Sequence, residues 1–158
     1  MSNVELIRAR AAEYVRTAIG ADGGKVHEFQ RFAPQLEKFI ELYTDEAAVV
    51  KAWTVSYSQD LRRKTGLGTR RHTYLFHIRG YWAVNDTEES EIAFHKKVDA
   101  VLDYLSARPT LDNVVTNGEL LVDSYPSLVT SHFLKKGKVL LHFGEIQFWF
   151  WEEVQIVT

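Results

Sequence analysis

A run of basic residues is the most concentrated chemical signal in this sequence. Five positive side chains fall within ten residues, around two glycines: Arg62, Arg63, Lys64, Arg70 and Arg71. Clustered arginines offer paired donors to carboxylates and phosphates, and they release counterions on binding. The run therefore predicts a contact with an acidic protein surface or with phosphates. The alternative is a solvated hairpin tip that is kept soluble by its charge.

Motifs for catalysis or for a bound cofactor do not accompany this run. Its glycines do not make a nucleotide-binding loop, which needs Gly-x-x-x-x-Gly-Lys-Ser/Thr between a strand and a helix. His95 and Asp99 have the i, i+4 spacing of helical metal ligands, but further ligands are not evident. Ser90 lacks a nucleophile motif such as Gly-x-Ser-x-Gly. We therefore expect a protein that is not an enzyme and that has no metal or other cofactor.

A second signal is a set of four consecutive large aromatic residues near the end of the chain: Phe148, Trp149, Phe150 and Trp151. Strand side chains alternate between two faces, so these four cannot all enter one core. Either the strand is covered on both faces within one subunit, or one of its faces lies in a subunit interface. All four residues are therefore interface candidates, together with the five basic residues.

Three stretches of the chain have apolar residues at helical spacing, namely residues 4–18, 33–43 and 88–107. Pro34 suits the first turn of the second helix. Asp86 is predicted to cap the third helix, with Glu89 reaching back as in a capping box. Pro109 prevents that helix from continuing.

Alternating apolar residues predict strands between and after these helices. The strands cover residues 49–57 and 72–84, an interrupted stretch at 120–133, and residues 139–151 after a turn at 135–138. The intervening residues 60–71 are too many for a tight turn and are predicted to form a projecting loop. His132 and His142 are expected roughly opposite each other in the last hairpin. The whole predicts one α+β domain over residues 1–158, an antiparallel sheet of two long hairpins with helices on one face.

A family resemblance begins in residues 72–91. The aromatic-rich strand ends in Arg79-Gly80-Tyr81-Trp82, and Asn85-Asp86 and a helix start at Ser90-Glu91 follow. This order resembles the tail terminator (tail-completion) proteins of long-tailed bacteriophages, and the resemblance extends in element order over roughly the last two thirds of the chain.

The resemblance implies a structural protein of the virion, located in its tail and neck region after assembly in the host cytoplasm. Such a protein forms a homo-hexameric ring that caps the finished tail tube, ends tube growth and joins the tail to the head. Its expected partners are copies of itself, the tail tube protein and a neck or connector protein. DNA is expected only as cargo that passes through the ring.

The overall composition narrows the remaining alternatives. A formal net charge of −2 gives no general attraction to nucleic acids or membranes, and no apolar stretch is long enough to span a membrane. The absence of cysteine excludes disulfides and thiolate metal sites. The arginines of residues 62–71 leave a small nucleic-acid-binding module as one alternative, and another neck or tail component of similar fold is a second. The acidic residues 86–91 are a candidate contact for the basic run of a neighbouring subunit.

Overall fold

The computed structural model describes residues 3–31, 36–44 and 49–156, which form three helices and six strands. In chain order they are α1 (Val4–Ile19), β1 (Lys25–His27), α2 (Leu36–Tyr43), β2 (Lys51–Gly66), β3 (Thr69–Ala83), α3 (Ser90–Ser106), β4 (Gly118–Leu120), β5 (Ser127–Lys136) and β6 (Val139–Gln155). The predicted α+β class is confirmed. Ala33 and Pro34, which were expected to begin the second helix, lie outside the described residues.

The strands form one sheet in the order β1-β2-β3-β6, and β5 and β4 follow each other along the far edge of β6. Most neighbours are antiparallel, as the two predicted hairpins require. However, β1 runs parallel to β2, so the prediction of a purely antiparallel sheet is wrong and the sheet is mixed. A parallel pair needs a long connection, and the segment that contains α2 provides it.

Helices α1 and α3 pack on one face of the sheet, over a core that includes Trp53, Phe76 and Phe148. Helix α2 lies on the opposite face, because Phe39 belongs to a separate apolar cluster with Ala52. The prediction that all helices share one face is therefore wrong. The physical reason is that β2 begins with apolar residues in both alternating sets, so both of its faces need cover.

Strand β3 follows its predicted alternation closely. Its helix-facing side chains are all buried: Tyr74, Phe76, Ile78 and Trp82. Gly80 interrupts this row because a Cβ at that position would lie 2.6 Å from Cζ3 of Trp53 and 3.0 Å from Cε2 of Phe94. The missing side chain therefore makes room for two aromatic rings of the core.

The prediction of a projecting loop at residues 60–71 is wrong, because these residues continue strands β2 and β3. The two strands pair to their ends and are joined by the tight turn Leu67-Gly68, where Gly68 has a φ of +79°. Strand β3 also pairs with β6 as far as Thr69 opposite Gln155. Charged residues can occupy strands when backbone pairing is complete and the side chains reach solvent, and composition alone did not reveal this. The second predicted turn is confirmed at Gly137, with a φ of +61°.

Helix α3 begins at Ser90 and is not capped by Asp86 as predicted. Asp86 instead opens a short 3₁₀ turn, and Glu89 follows in a left-handed conformation with a φ of 53°. The side chain of Ser90 accepts a hydrogen bond from the backbone N–H of Asn85 at 2.8 Å and holds this entry to the helix. The extra turn moves the helix start, so Asp86 and Glu89 do not occupy capping-box positions.

A buried carboxylate fixes the first turn of α1 to the end of β6. Glu152 is 1% exposed and accepts hydrogen bonds from the backbone N–H of Asn3 at 2.9 Å and from its side-chain amide at 3.0 Å. It also accepts a hydrogen bond from the Tyr74 hydroxyl at 2.7 Å. A negative charge at the N-terminus of a helix is favourable because the helix dipole is positive there.

Candidate assembly interface

The five predicted basic residues lie at the tip of the β2–β3 hairpin, divided between the two faces of the sheet. Strand pairing places Arg63 beside Arg71, whereas Lys64 lies beside Arg70 and Arg62 beside His72. Because Tyr74 and His72 share a face, Arg62, Lys64 and Arg70 lie on the side that carries α1 and α3. Arg63 and Arg71 lie on the opposite side. The basic run is therefore a two-sided strand tip.

Only two of these side chains have a counter-charge in the described part of the chain. Arg62 pairs with Asp60 at 3.0 Å, and Arg71 approaches Glu153 at 3.6 Å while its guanidinium stacks 4.3 Å from the Trp151 ring centroid. The other three make no hydrogen bond or ion pair with any described residue: Arg63, Lys64 and Arg70. Unpaired arginine and lysine side chains at an exposed tip are available to an acidic partner.

The C-terminal aromatic residues separate by alternation, as strand geometry requires. Phe148 and Phe150 are fully buried under the helices, and Phe148 stacks on Phe76 at 5.1 Å between ring centroids. They belong to the core, so their prediction as interface residues is wrong. Trp149 and Trp151 lie on the opposite face and are partly buried. Of the four aromatic residues, only Trp149 and Trp151 remain interface candidates.

Two borders of the sheet have no strand beside them among the described residues. β1 pairs with β2 only at Ala52, Trp53 and Thr54, so the outer edge of β2 is open over residues 55–66. On the other side, β5 pairs with β6 and no described strand lies beyond it. An open edge presents unpaired backbone N–H and C=O groups that can pair with another strand. Within residues 3–31, 36–44 and 49–156, the sheet therefore has one open edge at each side.

Exposed apolar side chains accompany both edges. On β2 and its turn they are Leu61, which is 55% exposed, and Leu67, which is 97% exposed. The β5–β6 hairpin exposes four more: Leu128, Val129, Phe133 and Leu140. Large apolar groups beside unpaired backbone are a feature of surfaces that associate, because a monomer would otherwise risk aggregation.

The acidic residues lie at the other end of the β3 strand from the basic tip. Asp86, Glu88, Glu89 and Glu91 are all exposed. Strand β3 spans fifteen residues, and a strand rises about 3.3 Å per residue, so the two charged regions are on the order of 45 Å apart. The basic residues of the tip and these acidic residues therefore cannot contact each other within a subunit.

Comparison with known proteins gives no family for this chain. No protein-family model matches it, and no curated protein matches it. Within the part of the chain that the structure describes, no helix is long and apolar enough to cross a membrane.

A polar cluster on the α2 face of the sheet was missed by sequence reasoning. Ser58 Oγ lies 2.5 Å from Nε2 of His77, and His77 Nδ1 lies 3.4 Å from Glu145 Oε1 without a hydrogen bond. The same Glu145 oxygen accepts a hydrogen bond from Arg79 Nε at 2.7 Å. A β-bulge between Tyr57 and Gln59 brings Ser58 to His77, and a bulge cannot be read from alternation.

Electrostatics at this cluster favour a neutral imidazole beside a charged carboxylate. Burial lowers the pKa of His77. Burial also acts to raise the pKa of Glu145, but hydrogen bonds from Arg79 and Gln147 outweigh it and leave that pKa below its ordinary value. The order serine, histidine, carboxylate is that of a base-activated nucleophile. Here, however, Arg79 takes the carboxylate oxygen that would orient the imidazole, so the cluster has the geometry of a structural ion-pair network.

The other histidines singled out in the sequence do not form a metal site in the described residues. His95 Nε2 lies 3.0 Å from Ser131 Oγ, and no group of three or more potential ligand side chains is brought together there. His132 pairs with Phe143, and His142 pairs with Phe133. These are successive rows of the ladder, so the side chains of His132 and His142 point to opposite faces of the sheet. The prediction that the two histidines lie opposite each other as a pair across the hairpin is therefore wrong.

Proposed function

We propose that this protein is a self-assembling structural subunit of a phage virion, a tail terminator whose copies form a six-membered ring at the end of the tail tube. The observation that carries the proposal is the pair of open strand edges, residues 55–66 of β2 and the outer edge of β5. Two different edges on one molecule suit head-to-tail association, which closes into a ring when each contact adds a fixed rotation. The six-fold count comes from the family resemblance.

Strand directions favour antiparallel pairing between neighbours. Antiparallel pairing along β2, β3, β6 and β5 makes β2 and β6 run one way and β3 and β5 the other. Continuation of the sheet around a ring whose axis is inclined to the strands keeps neighbouring strands antiparallel, and it gives the stagger along the strands that brings the β5 edge beside residues 55–66 of β2. The β5 edge of one copy would then lie antiparallel to the β2 edge of the next, so that the sheet continues from subunit to subunit.

Charge placement also favours this antiparallel contact. β5 ends in Lys135 and Lys136, and the basic tip of β2 includes Arg63 and Lys64. Antiparallel alignment would place the two lysines near residues 55–57, and the basic tip near the uncharged residues 127–130. A parallel alignment would instead bring both basic groups together, at a cost from like-charge repulsion.

In this proposal the protein acts through binding alone, with no cofactor and no catalytic step. The ring would cap the tube, contact the last ring of tube protein on one side and a neck or connector protein on the other, and let DNA pass through its centre.

The experiment that tests the proposal combines light-scattering mass with negative-stain images of the purified protein. Val129 is 47% exposed on β5, near the expected position of the neighbour's basic tip. Val129→Lys should weaken assembly by charge repulsion, and Arg63→Glu with Lys64→Glu should restore it in the same chain. Leu6→Lys on α1, at a site 53% exposed, is the matched control and should assemble normally. A wild-type protein that stays monomeric at all concentrations would contradict the proposal.

The observation that favours the second candidate, a nucleic-acid-binding module, is that Arg63, Lys64 and Arg70 have no ion pair with any residue that the structure describes. Binding through these side chains would neutralise phosphates and release counterions, so affinity would fall steeply as salt rises. A salt series with duplex DNA measures this directly. Tight, salt-sensitive binding by a monomeric protein would favour this candidate over the ring.

A further inference from the structure

A groove at the basic tip has a lining that specifies a ligand more closely than charge alone. It has a volume of about 580 Å³ and is lined by Leu61, Arg62, Arg63, Lys64, Thr65, Arg71, Thr73 and Leu121. Pairing places Leu61 beside Thr73 and Arg63 beside Arg71, on the face opposite α1 and α3. Arg62 and Lys64 line it from the other side of the strand, so the groove lies along the open edge of β2 at the tip and reaches the sheet face opposite α1 and α3.

The groove combines positive charge with an apolar floor. Four of its lining residues are cationic, and none of the described side chains that line it is acidic. Arg63 and Lys64 have no partner among the described residues, so a ligand need not displace an existing ion pair to reach them. Leu61 is 55% exposed, and burying a leucine side chain is worth on the order of 1.5–3 kcal/mol.

These features favour a protein segment over a nucleic acid. A single strand of nucleic acid binds by stacking its bases on open aromatic faces. The Trp151 ring, on the residue that pairs with Thr73 of the groove, already carries the Arg71 guanidinium at 4.3 Å from its centroid. No aromatic residue lines the groove itself among the described residues. What the groove offers is an apolar contact at Leu61 and Leu121, with charge-assisted donors around it.

We propose that this groove docks an acidic segment of a second, different protein, with one apolar side chain seated against Leu61 and flanking carboxylates paired with Arg63 and Lys64. This inference goes beyond the ring, because it concerns a partner other than this chain. Rim charge pairs mainly raise association rates and specificity, while the seated apolar side chain gives affinity.

The test uses short synthetic peptides as probes, with binding followed by fluorescence anisotropy on the full-length protein. The main probe is Glu-Glu-Leu-Glu-Glu, and its controls are Gln-Gln-Leu-Gln-Gln and Glu-Glu-Ser-Glu-Glu. We expect the main probe to bind at least about tenfold more tightly than either control, a difference of about 1.4 kcal/mol. Equal binding of all three peptides, or no binding of the main probe, overturns the proposal.

Variants locate the binding, and their binding is measured at protein concentrations at which light scattering shows monomers, so that ring formation through the same tip does not affect the result. Arg63→Gln with Lys64→Gln should weaken the main probe about tenfold, and Leu61→Ser should abolish its preference over the serine peptide. Lys135→Gln with Lys136→Gln, on the other hairpin, is the matched control for a change of two charges and should bind normally. Unchanged binding in the Arg63 and Lys64 variant places the site elsewhere and overturns the proposal.

Two further probes distinguish other occupants. A peptide of residues 86–92 of this chain contains exposed acidic side chains and Ile92, which is 52% exposed. Tighter binding of that peptide than of the main probe would identify a second copy as the occupant. Tighter binding of oligo-thymidylate would identify nucleic acid. Either result overturns the assignment to a different protein, whether or not the subunit forms rings.

Discussion

Replacement of Glu152 by Gln should destabilise the fold through loss of a single oxygen acceptor. Both the backbone N–H of Asn3 and the Tyr74 hydroxyl donate to Oε1, whereas the Asn3 side-chain amide donates to Oε2. Glutamine retains one oxygen but places an NH₂ group at the other position. If the remaining oxygen stays at the Oε1 position, the new NH₂ group would face the side-chain amide NH₂ of Asn3. Two hydrogen-bond donors would then meet in a site that is only 1% exposed.

The size of the effect follows from these contacts. A buried donor left without an acceptor costs about 1–3 kcal/mol, and hydrogen bonds to a charged group are worth about 1.5–3 kcal/mol. Loss of the negative charge also removes a favourable interaction with the dipole of α1, worth about 0.3–1 kcal/mol at an exposed site. Because these contributions overlap, we expect a loss of about 2–3 kcal/mol in the free energy of unfolding. For a domain of this size that corresponds to a midpoint lower by roughly 4–12 °C.

Urea denaturation followed by tryptophan fluorescence measures this change, with Glu153→Gln as the matched control. Glu153 is the next residue, but its carboxylate is half-exposed and approaches Arg71 only at 3.6 Å. Such a surface pair contributes about 0–1 kcal/mol. Equal small losses in both variants, below about 0.5 kcal/mol, would refute the argument that the buried carboxylate holds α1 to the sheet.

Three further outcomes are expected. Gly80→Ala should cost about 1–3 kcal/mol of folding free energy by overpacking, since its Cβ would lie 2.6 Å from the Trp53 ring; urea denaturation checks this. Phe148→Ala should cost about 3–5 kcal/mol of folding free energy in the same assay. Trp151→Ala should change the mass of the assembly in light scattering more than it changes the folding free energy. The free energy of unfolding should also decrease as the pH is lowered. Burial lowers the pKa of His27, His72, His77 and His142, so below about pH 6.5 the unfolded chain takes up protons that the folded chain resists. Urea midpoints at pH 7.5 and 5.5 test this, and a higher midpoint at pH 5.5 would contradict it.

Strong local patterns allowed part of this fold to be predicted from sequence. The alternation in β3 placed Tyr74, Phe76 and Ile78 in the core, where they are buried. Gly137 marked the last hairpin turn, because its left-handed conformation favours glycine. These features depend only on residues that are close in sequence, and the packing of neighbouring elements favours the same local structure.

Features set by long-range packing were not predictable in the same way. Which face α2 covers depends on contacts between Phe39 and strands far along the chain, and both faces of β2 near Ala52 are apolar. The parallel strand β1 has only three residues, too few to show a period. At the candidate interface, the sequence showed that Phe148, Trp149, Phe150 and Trp151 could not all enter one core, but only the register assigned Phe148 and Phe150 to the side of the helices.

The β-bulge at Ser58 determines how the basic run is divided between the two faces of the sheet. Before the bulge, Tyr57 lies beside Phe76 on the helix side; beyond it, Gln59 lies beside Leu75 on the other side. Odd-numbered residues of β2 therefore change face at this point. Without that extra residue, Leu61 and Arg63 would point toward the side of α1, away from Arg71 and Trp151. Both the apolar floor of the groove and its unpaired arginine thus depend on one irregularity in the ladder, which is why charge counting along the chain located the tip but not its binding face.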